Sequence, residues 1–229
     1  REGEGERAMS GLYAFDVTPL QQEALYRRCM EAVSAGRREQ VARLYREEDR
    51  WRSLGAGWLL MEALRLYFGL LRPDLETDEY GKPRVQGRPH VQFSLTHTGR
   101  WAVCAVDAYP IGVDAETVRP HMTTVAKRFY TAEEQRWIEG LPSEKKRDLA
   151  FARFWTRKEA YLKYTGQGIG GGRASVAPVW PDGPLHPAFD EGLSCWFTDY
   201  SLPDGIPLTL CTQNACVPRS IAFLQPETA

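Results

Sequence analysis

From Leu12 to Val17 apolar and polar positions alternate among β-forming residues, which predicts a short strand. The pattern turns helical from about Leu20 to Ser34, with Ala35-Gly36 as its stop. A longer helical region spans Arg37 to Leu71. It is densely charged at first and then apolar through Trp58, Leu59, Leu60, Met61, Leu64, Leu66, Tyr67 and Phe68. Gly55 and Gly57 inside it either interrupt the helix or mark a close packing contact. Residues 72–90 carry Pro73, Gly81, Pro83, Gly87 and Pro89 and read as loop. Strand-like runs follow at Val91–Leu95, Trp101–Val106 and Ile111–Glu116, the last entered through Tyr109-Pro110. Between the first two, Gly99 in Thr98-Gly99-Arg100 supplies the turn of a hairpin.

Helical signals dominate again from His121 to Tyr164. Thr131-Ala-Glu-Glu134 fits a capping box, a hydroxyl followed three residues later by a carboxylate. Phe151, Phe154, Trp155, Ala160 and Leu162 give the later helix a bulky buried face, and Gly166, Gly168, Gly170, Gly171 and Gly172 end it. The remainder, with short apolar alternations such as Leu208–Cys211, reads as antiparallel sheet. Helices followed by strands thus occur on each side of residue 110. The order predicts an α+β protein and hints at two similar lobes, 11–110 and 111–229, behind a polar lead or cloning remnant at residues 1–10.

Composition narrows the class. The 229 residues suffice for one large domain or two small ones, and 43% hydrophobic with 26% charged residues is ordinary for a globular chain. A net charge of -1 gives no bulk sign of a nucleic-acid binder. There is no apolar run long enough for a membrane span and no signal-peptide pattern at the start. Five cysteines without a CxxC pair read as reduced, buried thiols of a cytoplasmic protein rather than as a disulfide framework or a zinc site.

Four short stretches carry candidate chemistry. In Ile111-Gly-Val-Asp-Ala-Glu116, Asp114 and Glu116 are i and i+2 on a strand, so they share a face about 6 to 7 Å apart at Cα. Two such carboxylates repel unless a cation or a proton sits between them, and hard oxygen ligands suit Mg²⁺. A solvated strand face would look the same. In Phe154-Trp-Thr-Arg-Lys-Glu-Ala-Tyr-Leu-Lys163, Glu159 and Lys163 share a helix face, as an ordinary surface ion pair also would. The neighbouring aromatics argue for burial, where charges need partners. In Phe93-Ser-Leu-Thr-His-Thr-Gly99, His97 ends a strand among hydroxyls and turn amides, which suits an anion as well as a plain turn. In Tyr80-Gly-Lys-Pro83, glycine and proline fix a turn that holds Lys82, otherwise a surface lysine.

It is the order of these stretches that is specific. Gly-Lys-Pro, Ser-Leu-Thr-His-Thr, Gly-Val-Asp-x-Glu and Phe-Trp-x-x-Lys-Glu-Ala-x-x-Lys with a following Gly-x-Gly run from Tyr80 to Gly168. Their order and spacing resemble the surfactin-synthetase-activating (Sfp) type of 4′-phosphopantetheinyl transferase. A looser match extends upstream through Arg37, Tyr45 and Arg52. The resemblance implies a pseudo-dimer of two similar α+β lobes, each a small antiparallel sheet with packed helices, and an active site in the cleft between them. It implies transfer of the phosphopantetheine arm of coenzyme A to a serine of an acyl, polyketide or peptidyl carrier protein, releasing 3′,5′-ADP. Asp114, Glu116 and Glu159 would hold Mg²⁺ (or Mn²⁺), and Lys163 and His97 would contact phosphate oxygens. Lys82, Arg37 and Arg52 would hold the phosphates of the adenosine end, with Ser53 and Thr96 as polar contacts to the nucleotide. Glu159 leads as the base for the serine proton, and Glu134 is a lesser candidate for base or metal-water duty.

Some positions depart from the family pattern. Thr96 and Thr98 stand where serines are usual, Ala115 replaces a larger apolar residue between the acids, and Gln40 stands where a second basic contact is often found. An acidic carrier would dock on a basic and apolar rim around His121 to Arg128, Arg136 and Trp137. Both lobes lie on one chain, so a monomer is expected, with neither nucleic acid nor membrane as partner. Two rivals share parts of this pattern: another Mg²⁺-dependent nucleotide enzyme, and a non-catalytic coenzyme A-binding module.

Overall fold

The computed structural model describes residues 9–79, 81–124, 129–166 and 188–227. The polar lead up to residue 8, Tyr80, residues 125–128 of the expected docking rim and the glycines from 168 to 172 lie outside the described residues.

Strand β1 (Gly11–Asp16) leads through a short 3-10 turn into helices α1 (Glu23–Ala32), α2 (Ala35–Arg43) and α3 (Glu47–Phe68). Ala35-Gly36 begins a helix instead of ending one. The break falls at Val33 and Ser34, both extended, and the Ser34 hydroxyl accepts from the Arg37 amide to cap α2. The long region from Arg37 is likewise two helices, parted at the extended residues Leu44 and Arg46. Gly55 and Gly57 do not interrupt α3. A Cβ at 55 would lie 2.4 Å from Val17, and one at 57 would lie 2.7 Å from the Arg37 side chain. Both glycines therefore serve close approach.

Residues 72–90 are not all loop. Strands β2 (Leu75–Thr77) and β3 (Pro83–Val85) form a hairpin too short for its alternation to be read in sequence. Then come β4 (Gln92–Thr98), β5 (Trp101–Asp107) and β6 (Ile111–Ala115), with Gly99 at φ +53 in the β4–β5 turn. Helices α4 (Ala132–Glu139) and α5 (Glu144–Thr165) follow, α4 opened by the expected Thr131–Glu134 capping box. Strands β7 (Ala188–Asp190), β8 (Cys195–Leu202), β9 (Ile206–Thr212) and β10 (Ala222–Phe223) complete the chain.

The fold is α+β, with two four-stranded sheets ordered β10-β1-β5-β4 and β6-β9-β8-β7. All ladders are antiparallel except β1–β10. The short β10 pairs with β1, so Ala222 and Phe223 join the sheet of residues 11–107 despite lying beyond residue 110. Four layers result. One face of the first sheet (Phe15, Phe93, Ala102, Cys104, Val106) packs on α1, α2 and α3. Its other face (Leu12, Ala14, Trp101, Val103, Ala105) packs on Ile111, Val113, Ala115, Leu208 and Leu210 of the second sheet. The far side of the second sheet is covered by α5, with Ala160 against Phe197, Cys195 and Cys211. Central strands β5, β6 and β9 are covered on both faces, which explains their nearly unbroken burial. All five cysteines are free thiols, four of them buried. Among the described residues no helix is long and apolar enough to cross a membrane.

Candidate active site

The site forms where the two sheets meet edge to edge, β4 against β6. Alternate residues of β4 face its neighbour, and all three are hydroxyls. Ser94 Oγ accepts from the Val113 amide at 3.0 Å, and Thr96 Oγ1 donates to Asp114 Oδ1 at 2.9 Å. Thr98 Oγ1 accepts from the Thr117 amide at 2.9 Å and shares a 2.8 Å bond with the Thr117 hydroxyl. This row stitches the sheets together and sets the height of Asp114. Thr96, expected as a polar contact to the nucleotide, is buried here and gives its proton to the carboxylate.

Strand alternation turns Val113 and Ala115 into the intersheet core and Gly112 and Asp114 toward α5. The helix comes very close there: a Cβ on residue 112 would sit 1.9 Å from the Ala160 carbonyl oxygen and 2.6 Å from the Tyr164 nitrogen. This approach delivers Lys163 to the strand. Its Nζ donates to Asp114 Oδ1 at 2.7 Å, to the Val113 carbonyl at 3.1 Å and to the Leu95 carbonyl at 3.2 Å. Both bonds to Asp114 thus fall on Oδ1. Burial pushes the Asp114 carboxyl above its ordinary range, against the pull of Lys163, and Glu159 raises it further. Glu116 is raised too, first by burial and then by Asp114 and Glu159, while Arg119, 3.4 Å from its Oε1, opposes this. The three acids therefore lie within electrostatic reach of one another and repel.

The basic side of the site is Arg37, Arg52 and Lys163 around the His97 imidazole. His97 shares the β4 face of Phe93 and Leu95, toward α3 rather than toward β6. Burial lowers its imidazole from the ordinary value, and Arg52, Lys163 and Arg37 each lower it further. Arg52 donates to the Gly99 carbonyl at 3.2 Å and to Asp49 at 2.5 Å. Arg37 lies in the space Gly57 leaves, with Nη1 at 3.5 Å from Ser53 Oγ, so the buried Ser53 orients an arginine. Lys82 stands apart from these. Asp78 organises its hairpin by accepting from the Lys82 amide and from Arg84, and Lys82 Nζ donates to the Lys163 carbonyl at the end of α5.

A model described as the 4′-phosphopantetheinyl transferase superfamily matches residues 110–197. The chain is 30% identical over 213 residues to 4′-phosphopantetheinyl transferase Sfp of Bacillus subtilis (strain 168), covering 91% of this chain and 94% of that one. A second Bacillus subtilis 4′-phosphopantetheinyl transferase is 37% identical over 144 residues, 62% and 64% of the two chains. The 4′-phosphopantetheinyl transferase HetI of Nostoc is 37% identical over 135 residues, 56% of each. The chain belongs to the 4′-phosphopantetheinyl transferase family.

For a phosphopantetheinyl transferase, the acids of β6 and α5 offer the hard oxygen donors a divalent cation takes, and their mutual repulsion is what such an ion would relieve. The donor chemistry fits. Their present spacing does not form a ready-made cluster, since among the described residues no three acidic, imidazole or thiol groups are close enough to hold an ion. The Lys163 ammonium neutralises Asp114 instead. Glu134 does not join them, which corrects its candidacy. It has no solvent exposure, and its Oε2 accepts from the Thr131 amide and lies 3.0 Å from Lys158 Nζ, itself buried over the Tyr130 ring. A carboxylate shut away in this manner cannot meet a serine of another protein. Arg119 and Thr117 were missed in the sequence. The alternation of hydroxyls at 94, 96 and 98 was the available signal for the stitching that involves Thr117.

Proposed function

We propose that this chain transfers the 4′-phosphopantetheine of coenzyme A to a serine of an apo carrier protein. What supports this is that Asp114, Glu116 and Glu159 lie within electrostatic reach of one another at one sheet junction, and that Lys163, bonded to Asp114, lies with Arg37 and Arg52 within reach of His97. Acids without the basic group would suit a pyrophosphatase or nucleotidyl transferase equally well. A binding module would have no use for three mutually repelling acids.

The reaction is attack of the serine oxygen on the β-phosphorus of coenzyme A. One P–O bond forms, the bond to the oxygen of the adenosine phosphate breaks, and that oxygen leaves as part of 3′,5′-ADP. Such a transfer asks mainly for positioning and charge stabilisation. Arg37 and Arg52 hold phosphates of the adenosine end and His97 a pyrophosphate oxygen. Lys163 exchanges its bond to Asp114 for one to the pyrophosphate. Lys82, bonded to the end of α5, adds a further charge for the phosphates of the adenosine end. Asp114, Glu116 and Glu159 would hold Mg²⁺, which would supply charge neutralisation to the pyrophosphate and the departing oxygen. Glu159 receives the serine proton.

The two sheets with their helices act as lobes and the site is the cleft between them, served by one copy of the chain. Beside Arg119, the partner of Glu116, lies a cleft of about 640 Å³, lined by Val118, Arg119, Lys145 and Leu149 together with Glu144, Asp148 and Asp204. Three carboxylates against two bases make this cleft a poor seat for an acidic carrier, which docks instead on the rim around His121, Arg136 and Trp137. Raising salt then raises the KM for the carrier. The deciding experiment incubates the protein with coenzyme A, Mg²⁺ and an apo carrier. The carrier gains the mass of one phosphopantetheine. No gain, with coenzyme A bound, leaves a binding module, and pyrophosphate cleavage without transfer leaves a hydrolase.

A further inference from the structure

The face of the second sheet that α5 covers carries a polar row beside its apolar contacts. Asp114 on β6 stands directly opposite Thr209 on β9, and Thr209 directly opposite Asp199 on β8. Partners in an antiparallel ladder share a face, so the three side chains form one row across three strands. Each is met by a side chain of α5. Lys163 donates to Asp114 at 2.7 Å, and the hydroxyls of Thr156 and Thr209 share a 2.9 Å bond. Arg157 grips Asp199, its Nε at 3.2 Å from Oδ1 and 3.1 Å from Oδ2 and its Nη2 on Oδ2. Thr209 closes the row by donating to Asp199 Oδ1 at 2.8 Å.

Apolar contacts such as Ala160 on Cys211 and Phe197 exclude water, but they tolerate a helix that slides or rolls. A two-point arginine–carboxylate grip does not, because its bonds are directional. The Arg157 side chain is only 7% exposed, so its charge also has little alternative in water. Glu159 is two residues along the helix from this grip, and Asp114 is the far end of the same row.

We propose that Arg157, Asp199 and Thr209 are positioning residues, which lock α5 onto the row beginning at Asp114 and so hold Glu159 in register with Asp114 and with Glu116 just beyond β6. The proposal rests on the reading of Asp114, Glu116 and Glu159 as cation ligands. Residues that orient ligands from behind typically change metal affinity by about 10- to 100-fold when lost.

The test uses the full chain and the variants Thr209→Val, Asp199→Asn and Arg157→Lys, with Mn²⁺ alone as probe, followed by electron paramagnetic resonance. Thr209→Val and Asp199→Asn weaken Mn²⁺ binding by about tenfold, and Arg157→Lys, which keeps the charge and loses the fork, falls between them and wild type. Coenzyme A affinity measured in chelator stays at the wild-type value, because the adenosine end is held by other residues. Excess Mn²⁺ restores the transfer rate. Should Asp199→Asn fail to fold, Thr209→Val, which removes a single hydroxyl, carries the test. Folded variants that bind Mn²⁺ as wild type does and show only a lower Tm overturn the proposal. A control, Asp114→Asn, separates the two layers: undiminished Mn²⁺ binding there removes the ligand reading itself.

Discussion

Gly112→Ala perturbs the closest contact in the site. The new methyl would lie 1.9 Å from the Ala160 carbonyl oxygen and 2.6 Å from the Tyr164 nitrogen, both backbone atoms that no rotamer change can move. Ordinary contact begins at 3.4 Å, so α5 must retreat by about 1.5 Å or β6 must buckle. Overpacking of this kind costs about 1–3 kcal/mol of stability. Catalysis suffers more, because Glu159 and Lys163 ride on the displaced helix, and a misplacement of about 1 Å can cost about 100-fold in rate. The assay is the initial rate of carrier phosphopantetheinylation by mass spectrometry at saturating Mg²⁺, below the variant's Tm. Gly140→Ala is the control: Gly140 has an ordinary φ of -69, and its added Cβ would sit 3.4 Å from the nearest atom. The control keeps wild-type activity. A Gly112→Ala enzyme within about twofold of wild type would refute the claim that this approach sets the geometry.

Three further outcomes follow from the same geometry. Thr96→Val removes a hydrogen bond to a buried carboxylate, a bond worth about 1.5–3 kcal/mol; it lowers kcat by about tenfold or more while coenzyme A binding in chelator is unchanged, and a loss confined to coenzyme A affinity would return Thr96 to the nucleotide. Glu134→Gln breaks a fully buried ion pair, for which about 3–5 kcal/mol is typical; Tm falls while the folded fraction keeps its kcat, and lost activity at an unchanged Tm would place Glu134 in the chemistry after all. His97 is held below 6.5 when the site is empty, and a bound phosphate raises it. The complex then binds more protons than the free protein between those two values. Coenzyme A binding in chelator therefore takes up a proton and weakens as pH rises through that window, and titration calorimetry in buffers of different ionisation enthalpy reads the uptake; no uptake removes His97 from the phosphate.

Much of this fold is legible in the chain because its signals are local. The Thr131–Glu134 cap, the Gly99 turn and the strand around Leu12 each depend on a few neighbouring residues, and each recurs in the structure. What escaped depends on partners distant in sequence. Ala35-Gly36 looks like a stop, and only the Ser34 cap shows that a helix starts there. Nothing near Ala222 and Phe223 says that they return to pair with β1. The acids and Lys163 could be named from their ordered motifs, but their relation could not. Lys163 rests on Asp114, and Thr96 serves that carboxylate, because two sheet edges and a helix converge. Glu134 shows the opposite error. A carboxylate near the motifs looks chemical in sequence, and its complete burial against Lys158 marks it as structural.

A crystal structure of the chain with coenzyme A and Mg²⁺ tests the central claim most directly. The account predicts the pyrophosphate at the β4–β6 junction, the ion bound by Asp114, Glu116 and Glu159, and Lys163 turned from Asp114 to a phosphate oxygen. A pyrophosphate bound away from that junction, with Lys163 still on Asp114, would contradict it.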